Sequence, residues 1–389
     1  MTPLDEAIIE NDLLPEDQRA SNVELAERFN TSEASVRRHR AKLKRRGSPN
    51  MGNDAFFSDV PVDAIVQRGK TIRLPDGSYE KIAWKPSAVE MAEAKRISYG
   101  DLDPVFREPL LPKPAPIIKD DDDTLVVCLA DFQIGKVQGG GGTEDTVRLV
   151  RRAIKDIADD IRFRDPYKRI IIADVGDSTE GFWNVASQAQ TNDLSLTDQI
   201  RVVQRLYAEA VQLLAPLCES MYYVAVPSNH CAVRTGQGKN SRANAPDDDF
   251  GIMISRNIED IIAGRPGFEH VTFHRPEKWE EAVTVDAADG TRIGFTHGHL
   301  AGTQAKVPGW FRDLAFGRRS GLYDARILVH GHWHNFAVNQ VGDARWIISC
   351  PSADRGSDWW TNISGDSSRP AILTFEAQGG NASSWELYS

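Results

Sequence analysis

Cysteine is scarce. There are four in 389 residues (Cys128, Cys218, Cys231 and Cys350), far apart and without a Cys-x-x-Cys unit. That excludes a disulfide scaffold and a cysteine zinc knuckle, and leaves buried, reduced thiols as the expectation. Long apolar runs are missing too, since no segment approaches the roughly eighteen residues a membrane helix needs. The first residues, Met1-Thr2-Pro3-Leu4-Asp5-Glu6, are acidic rather than basic-then-apolar, so a cytoplasmic protein with no membrane partner is expected. Positive charge is in overall deficit: 46 Lys and Arg against 56 Asp and Glu give a net charge of -10. That argues against uniform coating by nucleic acid but leaves room for a local basic patch. The 41% hydrophobic and 26% charged composition is that of an ordinary globular protein, long enough for one sizeable core and one or two smaller modules.

A basic patch does occur near the start. Residues 1–33 carry nine acidic and two basic side chains, whereas residues 34–46 carry seven basic ones and no acid. Ser21 followed by Glu24 is a capping box that opens a helix running to about Phe29. Asn30 tolerates left-handed geometry, and Ser32 can cap a second helix from Glu33 to about Arg46. Val23, Ala26, Phe29, Val36 and Leu43 supply an apolar seam at helical spacing. The stretch resembles a helix-turn-helix. On that resemblance the second helix enters a DNA major groove, with Ser35, Arg37, Arg38, His39, Arg40 and Lys42 as contact candidates. The alternative is a solvated or protein-docking basic helix.

Residues 1–47 are therefore read as a small helical domain, 48–123 as a linker and adaptor, and 124–389 as the main domain. Gly47 to Asp54 reads as a joint, and Lys70–Leu74 and Tyr79–Trp84 flank the turn Pro75-Asp76-Gly77-Ser78, a hairpin signal. A short helix is expected over 88–97. The prolines at 104, 109, 112, 114 and 116, followed by Asp120 to Asp123, mark a stiff linker.

From Thr124 apolar runs alternate with amphipathic segments near 144–163, 193–215 and 249–263, which predicts an α/β sandwich. Five runs end on a polar residue of metal-ligating type. The run 124–130 leads into Asp131-Phe132-Gln133, 169–175 into Gly176-Asp177, and 222–226 into Pro227-Ser228-Asn229-His230. The run 292–296 leads into His297-Gly298-His299, and 326–330 into Gly331-His332-Trp333-His334. Open α/β sheets bind ligands beyond the carboxyl ends of their strands, so five such ends can meet in one place. Mixed oxygen and imidazole donors suit Mn²⁺, Fe²⁺ or Zn²⁺ in a pair about 3.5–4 Å apart.

Asp-x-Gln, Gly-Asp-x-x-Glu, Asn-His, His-Gly-His and Gly-His-x-His, in this order, resemble the calcineurin-like metallophosphoesterase family over about residues 124–375. The resemblance implies an α/β fold with a four-layer, two-sheet sandwich flanked by helices, and hydrolysis of phosphoesters with two divalent ions. By position, Asp131, Gln133, Asp177 and His334 would hold one ion. Asp177 would bridge to a second held by Asn229, His297 and His332. His230 would stand by the scissile phosphate as the catalytic residue, while metal-bound hydroxide attacks in line. His299 and Glu180 would support the ligands from behind. Position 133 departs from the pattern, because most members have His there; the harder, neutral amide oxygen tilts the expected ions toward Mn²⁺ or Mg²⁺. Ser228-Asn229-His230-Cys231 departs as well, lacking the acid that usually follows the His.

Asp131-Phe132-Gln133-Ile134-Gly135-Lys136 resembles the opening motif of SbcD-type DNA-repair nucleases, apart from the Gln. Arg234, Lys239 and Arg242 lie in a segment that either grips substrate phosphates or is plain solvent-exposed loop. Gly139 to Gly142 reads as a bare connection or a mobile rim. Trp310, Trp333, Trp359 and Trp360 are expected to pack rather than stack on bases. Asp354 and Arg355 receive no role. The expectation is a DNA nuclease, exo- or endonuclease, with DNA delivered by the N-terminal domain. Two alternatives remain: a phosphatase or small-molecule phosphodiesterase with a docking helix-turn-helix, and an inactive DNA-binding scaffold. A homodimer is left open.

Overall fold

A computed structural model describes residues 3–14, 18–46, 68–73, 79–84, 95–107, 110, 122–137, 141–164, 166–184, 188–235, 242–243, 245–317, 321–342, 344–354 and 369–389. The chain divides into two compact units, Met1–Val89 and Glu90–Ser389. Among the described residues no helix is long and apolar enough to cross a membrane.

Among the described residues the first unit holds the helices α1 (Pro3–Leu13), α2 (Asn22–Arg28) and α3 (Glu33–Arg46), of which α1 is not expected from the sequence. The Ser21–Glu24 capping box forms in both directions, and Asn30 takes φ 45° between α2 and α3. The seam differs from the expected one. Ile8, Leu25, Ala26 and Val36 form the buried cluster, while Val23 is 50% exposed. The cause is α1, whose Ile8 meets α2 on the Leu25–Ala26 side. Leu43 lies outside the residues whose side chains are described. A hairpin of β1 (Arg68–Arg73) and β2 (Tyr79–Trp84) pairs in antiparallel register with Arg73 opposite Tyr79; its turn lies outside the described residues. So does most of the helix expected over 88–97, and 95–97 are not helical.

The second unit is an α/β sandwich, as the alternation of runs and helices predicted, with the four layers that the resemblance implied. A six-stranded mixed sheet has the order β15-β14-β3-β4-β5-β8, where β3 is Thr124–Leu129, β4 Tyr167–Asp174, β5 Cys218–Ala225, β8 Val271–His274, β14 Ile372–Gln378 and β15 Asn381–Tyr388. A five-stranded mixed sheet has the order β12-β13-β11-β10-β9, with β9 Ala282–Asp286, β10 Arg292–Thr296, β11 Ile327–His330, β12 Ala337–Val341 and β13 Arg345–Ser349. A two-residue ribbon, β6 (Arg234–Thr235) and β7 (Arg242–Ala243), stands apart from both sheets.

The period-two alternation of the strands sorts their side chains between layers. Val126, Cys128, Ile171, Ala173 and Val224 point between the sheets, where they meet Ile293, Phe295, Ile327, Val329 and Ile348. Leu125, Val127, Leu129, Ile170 and Ile172 point the other way, onto α4 (Thr143–Arg164), α5 (Leu196–Leu214) and α6 (Phe250–Ile262). On the far face of the five-stranded sheet, Leu328 and Ile347 meet Val307 and Phe311 of α7 (Val307–Gly317). Leu102, Val105 and Phe106 join the helix-side core, so packing begins before the Thr124 start expected from sequence. All four cysteines are buried and free.

Strand direction is what places the site. β3, β4 and β5 run parallel, as do β10, β11 and β13. Parallel strands release their chains at one sheet edge, so every polar strand end in a sheet emerges on the same side.

The basic helix of the first unit is partly tied down within it. Arg40 donates to Asp12 Oδ1 at 2.8 Å and to Asn22 Oδ1 at 2.5 Å, and His39 Nδ1 lies 2.7 Å from Asp5 Oδ1. Hydrogen bonds to charged groups are worth about 1.5–3 kcal/mol when partly buried. Arg40→Ala should therefore loosen α3 by about 1–3 kcal/mol, seen as faster exchange of its backbone amides in the full chain. Unchanged exchange would show that the Asp12 and Asn22 contacts do not hold the helix.

Candidate metal centre

The loops that leave the strands are bent in an unusual way. Among the described residues, the non-glycine positions with positive φ are Asn30, Ser384 and five expected ligands: Asp131 (51°), Gln133 (43°), Asp177 (48°), His332 (73°) and His334 (55°). Left-handed backbone costs an ordinary side chain about 1–2 kcal/mol, so each must be held by its surroundings. The holding bonds are visible. Asp131 N–H donates to the Gly176 carbonyl (3.0 Å), and Gln133 N–H to that of Asp177 (2.9 Å). Asp177 N–H donates to Ser228 Oγ at 2.8 Å, and His332 N–H to the Asp131 carboxylate at 2.9 and 3.1 Å. Glycine is required beside them. A Cβ on Gly331 would lie 2.5 Å from Asp131 Oδ2, and one on Gly176 2.6 Å from the Ser228 Cβ.

Four donor atoms converge at one position. His297 Nε2 lies 3.0 Å from Asp177 Oδ2, 3.0 Å from Asn229 Oδ1 and 3.2 Å from His332 Nδ1. His297 Nδ1 is 2.9 Å from the Val175 carbonyl, to which it donates, so the lone pair of the neutral ring sits on Nε2. Asp177, His297 and His332 make up the group of side chains, among the described residues, able to hold a metal ion. Donors about 2.0–2.2 Å from an ion lie roughly 3.0–3.5 Å from one another, so this set fits a divalent cation.

Protonation follows from the crowding of lone pairs. Burial pushes His297 down, but the Asp177 carboxylate outweighs it and raises the imidazole to about 9. Burial raises Asp177, yet His297 and His230 hold it well below the ordinary carboxylate range. Burial, then the neighbouring His297 cation, push His332 down to about 3. In metal-free protein a proton on His297 takes the place that a cation can fill.

The second expected position is less complete. Asp131 Oδ1 lies 3.4 Å from His334 Nε2, and the Gln133 amide oxygen accepts from Lys136 Nζ at 2.6 Å. Lys136 also pairs with Asp354, whose Oδ1 is 3.6 Å from His334 Nδ1. The Ser352 hydroxyl is 2.6 Å from both the Asp131 carbonyl and Asp354 Oδ1. Burial lowers His334, but Asp131 and Asp354 outweigh it and raise the imidazole to about 10. Lys136, Ser352 and Asp354 were not assigned to the site from sequence. The available signal was that β13, like the strands that lead into the expected ligands, ends on a polar loop, Cys350-Pro351-Ser352-Ala353-Asp354.

His230 sits beside the Asp177 carboxylate. Its N–H donates to Asp177 Oδ1 at 2.8 Å, and its Nε2 is 4.0 Å from Asp177 Oδ2. Nδ1 lies 2.8 Å from the Glu180 carbonyl and 3.3 Å from Glu180 Oε2. Glu180 thus orients the imidazole from another strand end, where the residue after His230 is Cys231 rather than an acid. Gln188 Nε2 fixes Glu180 Oε1 at 3.0 Å. Burial lowers His230, but Asp177 and Glu180 outweigh it and raise it to about 9.

His299 stands with its ring centroid 5.5 Å from His297 and its Nε2 4.0 Å from Glu281 Oε2. Arg234 donates to Asn184 Oδ1 (2.9 Å) and to the Asn229 carbonyl (3.0 Å), so it braces the turn that carries Asn229. Lys239 lies outside the described residues, as do Arg355, Trp359, Trp360 and the side chain of Arg242. Trp310 and Trp333 pack on the α7 side of the five-stranded sheet. Of the DNA-contact candidates, Ser35 is half-buried, Arg37 is exposed and pairs with Glu33, and the side chains of Arg38 and Lys42 lie outside the description.

No family model matches the chain, and no curated protein matches it. Among solved structures it is similar to a conserved uncharacterized protein, a predicted phosphoesterase, from Streptococcus pneumoniae TIGR4. That match has 10% identity, covers 66% of this chain and 84% of that one, and has a TM-score of 0.26. It is also similar to Vps29 complexed with Zn²⁺ from Entamoeba histolytica (13% identity, 68% and 99% covered, TM-score 0.27). A third is Vps29 of Chaetomium thermophilum (11% identity, 66% and 86% covered, TM-score 0.29). Correspondences this slight decide nothing about the chemistry, which rests on the side chains themselves.

Because the folded pKa of His297 lies above its ordinary 6.5, the proton stabilises metal-free protein fully below about pH 6.5, and that stability is lost as pH rises through about 9. A divalent ion must displace this proton. Its affinity should therefore climb about tenfold per pH unit between those limits, with proton release measurable by calorimetry in buffers of different ionisation enthalpy. An affinity flat from pH 6.5 to 9 would contradict the assignment.

Proposed function

We propose that the second unit is a metal-dependent phosphodiesterase acting on DNA, a nuclease. The observation that carries this is the meeting of Asp177, Asn229, His297 and His332 at one point, with His230 backed by Glu180 beside them. Mn²⁺ is the proposed ion, with Mg²⁺, Fe²⁺ and Zn²⁺ as alternatives, because the donors mix oxygen with imidazole. When bound, the ion supplies Lewis acidity toward a phosphate oxygen and acidifies a water.

The chain's own groups do the rest. In the metal-free protein His297 and His230 keep the buried Asp177 carboxylate ionised, so its charge is in place for a cation. His230 Nδ1 is committed to the Glu180 carbonyl, so Nε2 is the nitrogen left to face a leaving oxygen. Asp177 and Glu180 hold the ring protonated in the metal-free protein, and the Nε2 proton is the one it would donate to that oxygen. The strained ligand loops leave little to reorganise when a phosphate arrives.

Support for DNA as substrate comes from the motif Asp131 to Lys136, from the basic run 34–46, and from the α2–α3 arrangement with Asn30 in the turn. A specific observation favours a second reading. Arg40 and His39 are bound to Asp12, Asn22 and Asp5, and Arg37 to Glu33, so fewer cations are free for phosphate than the sequence suggested. On that reading the helical unit docks a protein, and the metal centre serves a monoester or a small diester.

A panel of DNA, a generic diester and a generic monoester, assayed with Mn²⁺, separates the two. The nuclease reading expects greatest turnover on DNA, abolition by Asp177→Ala, and a loss of about 10²–10⁴-fold in His230→Ala with metal retained. Greatest turnover on the monoester would favour the second reading. Undiminished cleavage by either variant would remove the site from the chemistry.

A further inference from the structure

The loop after β3 is clamped along both sides. Ile134 bridges to Thr179 and Lys136 to Asn192, while Val137 N–H donates to the Thr191 carbonyl at 2.8 Å. Gly135 N–H donates to Thr143 Oγ1 at 2.9 Å. The backbone of Lys136 is thereby fixed, and its side chain turns into the site. Nζ donates to Gln133 Oε1 at 2.6 Å and pairs with Asp354, the two side chains being only 10% and 5% exposed. His334, expected to share an ion with Asp131 and Gln133, lies 3.4 Å from Asp131 Oδ1 and 3.6 Å from Asp354 Oδ1.

We propose that the Lys136 ammonium supplies the positive charge at the Asp131–Gln133–His334 position, so that the protein carries a single divalent ion per chain, at Asp177, Asn229, His297 and His332. This rests on the phosphodiesterase reading and departs from the two-ion centre that the sequence resemblance implied. Three features argue for it together. The Gln133 amide oxygen brings no negative charge to offset a second dication, and it is already accepting from the Lys136 ammonium. A buried carboxylate needs a partner, and Asp354 has one in Lys136. Bringing a dication in beside a buried ammonium sets like charges a few ångströms apart in a medium that screens them poorly. Gln133 is then a residue matched to Lys136, where a histidine would suit a metal.

The test is the ion count on full-length protein stripped with chelator and reloaded with Mn²⁺, measured by equilibrium dialysis with elemental analysis. The spin spectrum of the bound Mn²⁺ serves as a second readout. One ion per chain with the spectrum of an isolated Mn²⁺ is expected for the parent protein, and for Lys136→Arg, which keeps the charge. Lys136→Met should take up a second ion and show the spectrum of a coupled pair. His297→Ala should lose the single ion. Two ions per chain in the parent would overturn the proposal while leaving the phosphodiesterase reading intact. No ion in the parent would overturn both. If Lys136→Met fails to fold, the parent's count alone decides; a folded Lys136→Met that stays at one ion also overturns the proposal.

Discussion

Asp177 joins the ends of four strands through its own polar atoms. Its N–H goes to Ser228 after β5, and its carbonyl accepts from Gln133 after β3. One carboxylate oxygen takes the His230 N–H, and the other faces His297 after β10. Buried to 1% exposure, this side chain could not stay ionised without those partners. The left-handed backbone at Asp177, and at the ligands bonded around it, is the conformational cost of bringing the groups to one point. Remove the carboxylate and the imidazoles lose the charge that faces them, while His230 loses the acceptor for its N–H.

The strand ends were legible in the sequence because parallel strands turn a one-dimensional pattern into a shared edge. Asp131, Asp177, Asn229, His230, His297, His332 and His334 follow apolar runs that formed β3, β4, β5, β10 and β11 close to the expected bounds. Asp354 follows the same rule, after β13, but that strand begins at Arg345-Trp346 and its apolar run is only Trp346-Ile347-Ile348, too short to stand out. The Lys136–Asp354 pair was invisible for a different reason. Its members are 218 residues apart, and nothing local links them. Glu180 was legible as a residue of the Gly-Asp-x-x-Glu motif, but its hold on His230 depends on the turn that carries it beneath the imidazole.

The N-terminal unit shows the limit of charge counting. Seven basic residues in a helix suggested a surface for phosphate. The preceding acidic stretch folds into α1 and takes two of the candidate side chains, His39 and Arg40, as partners. Charge segregation along the sequence thus becomes charge pairing within the unit. The same physics makes Val23 an exposed residue: once α1 is present, α2 buries Leu25 and Ala26 against Ile8.

Anomalous diffraction from crystals soaked in Mn²⁺ would show whether Asp177, Asn229, His297 and His332 hold a cation. A strong peak is expected, bounded by Asp177 Oδ2, Asn229 Oδ1, His297 Nε2 and His332 Nδ1. A structure with Mn²⁺ bound only elsewhere, or with these four side chains drawn apart, would contradict a cation site there.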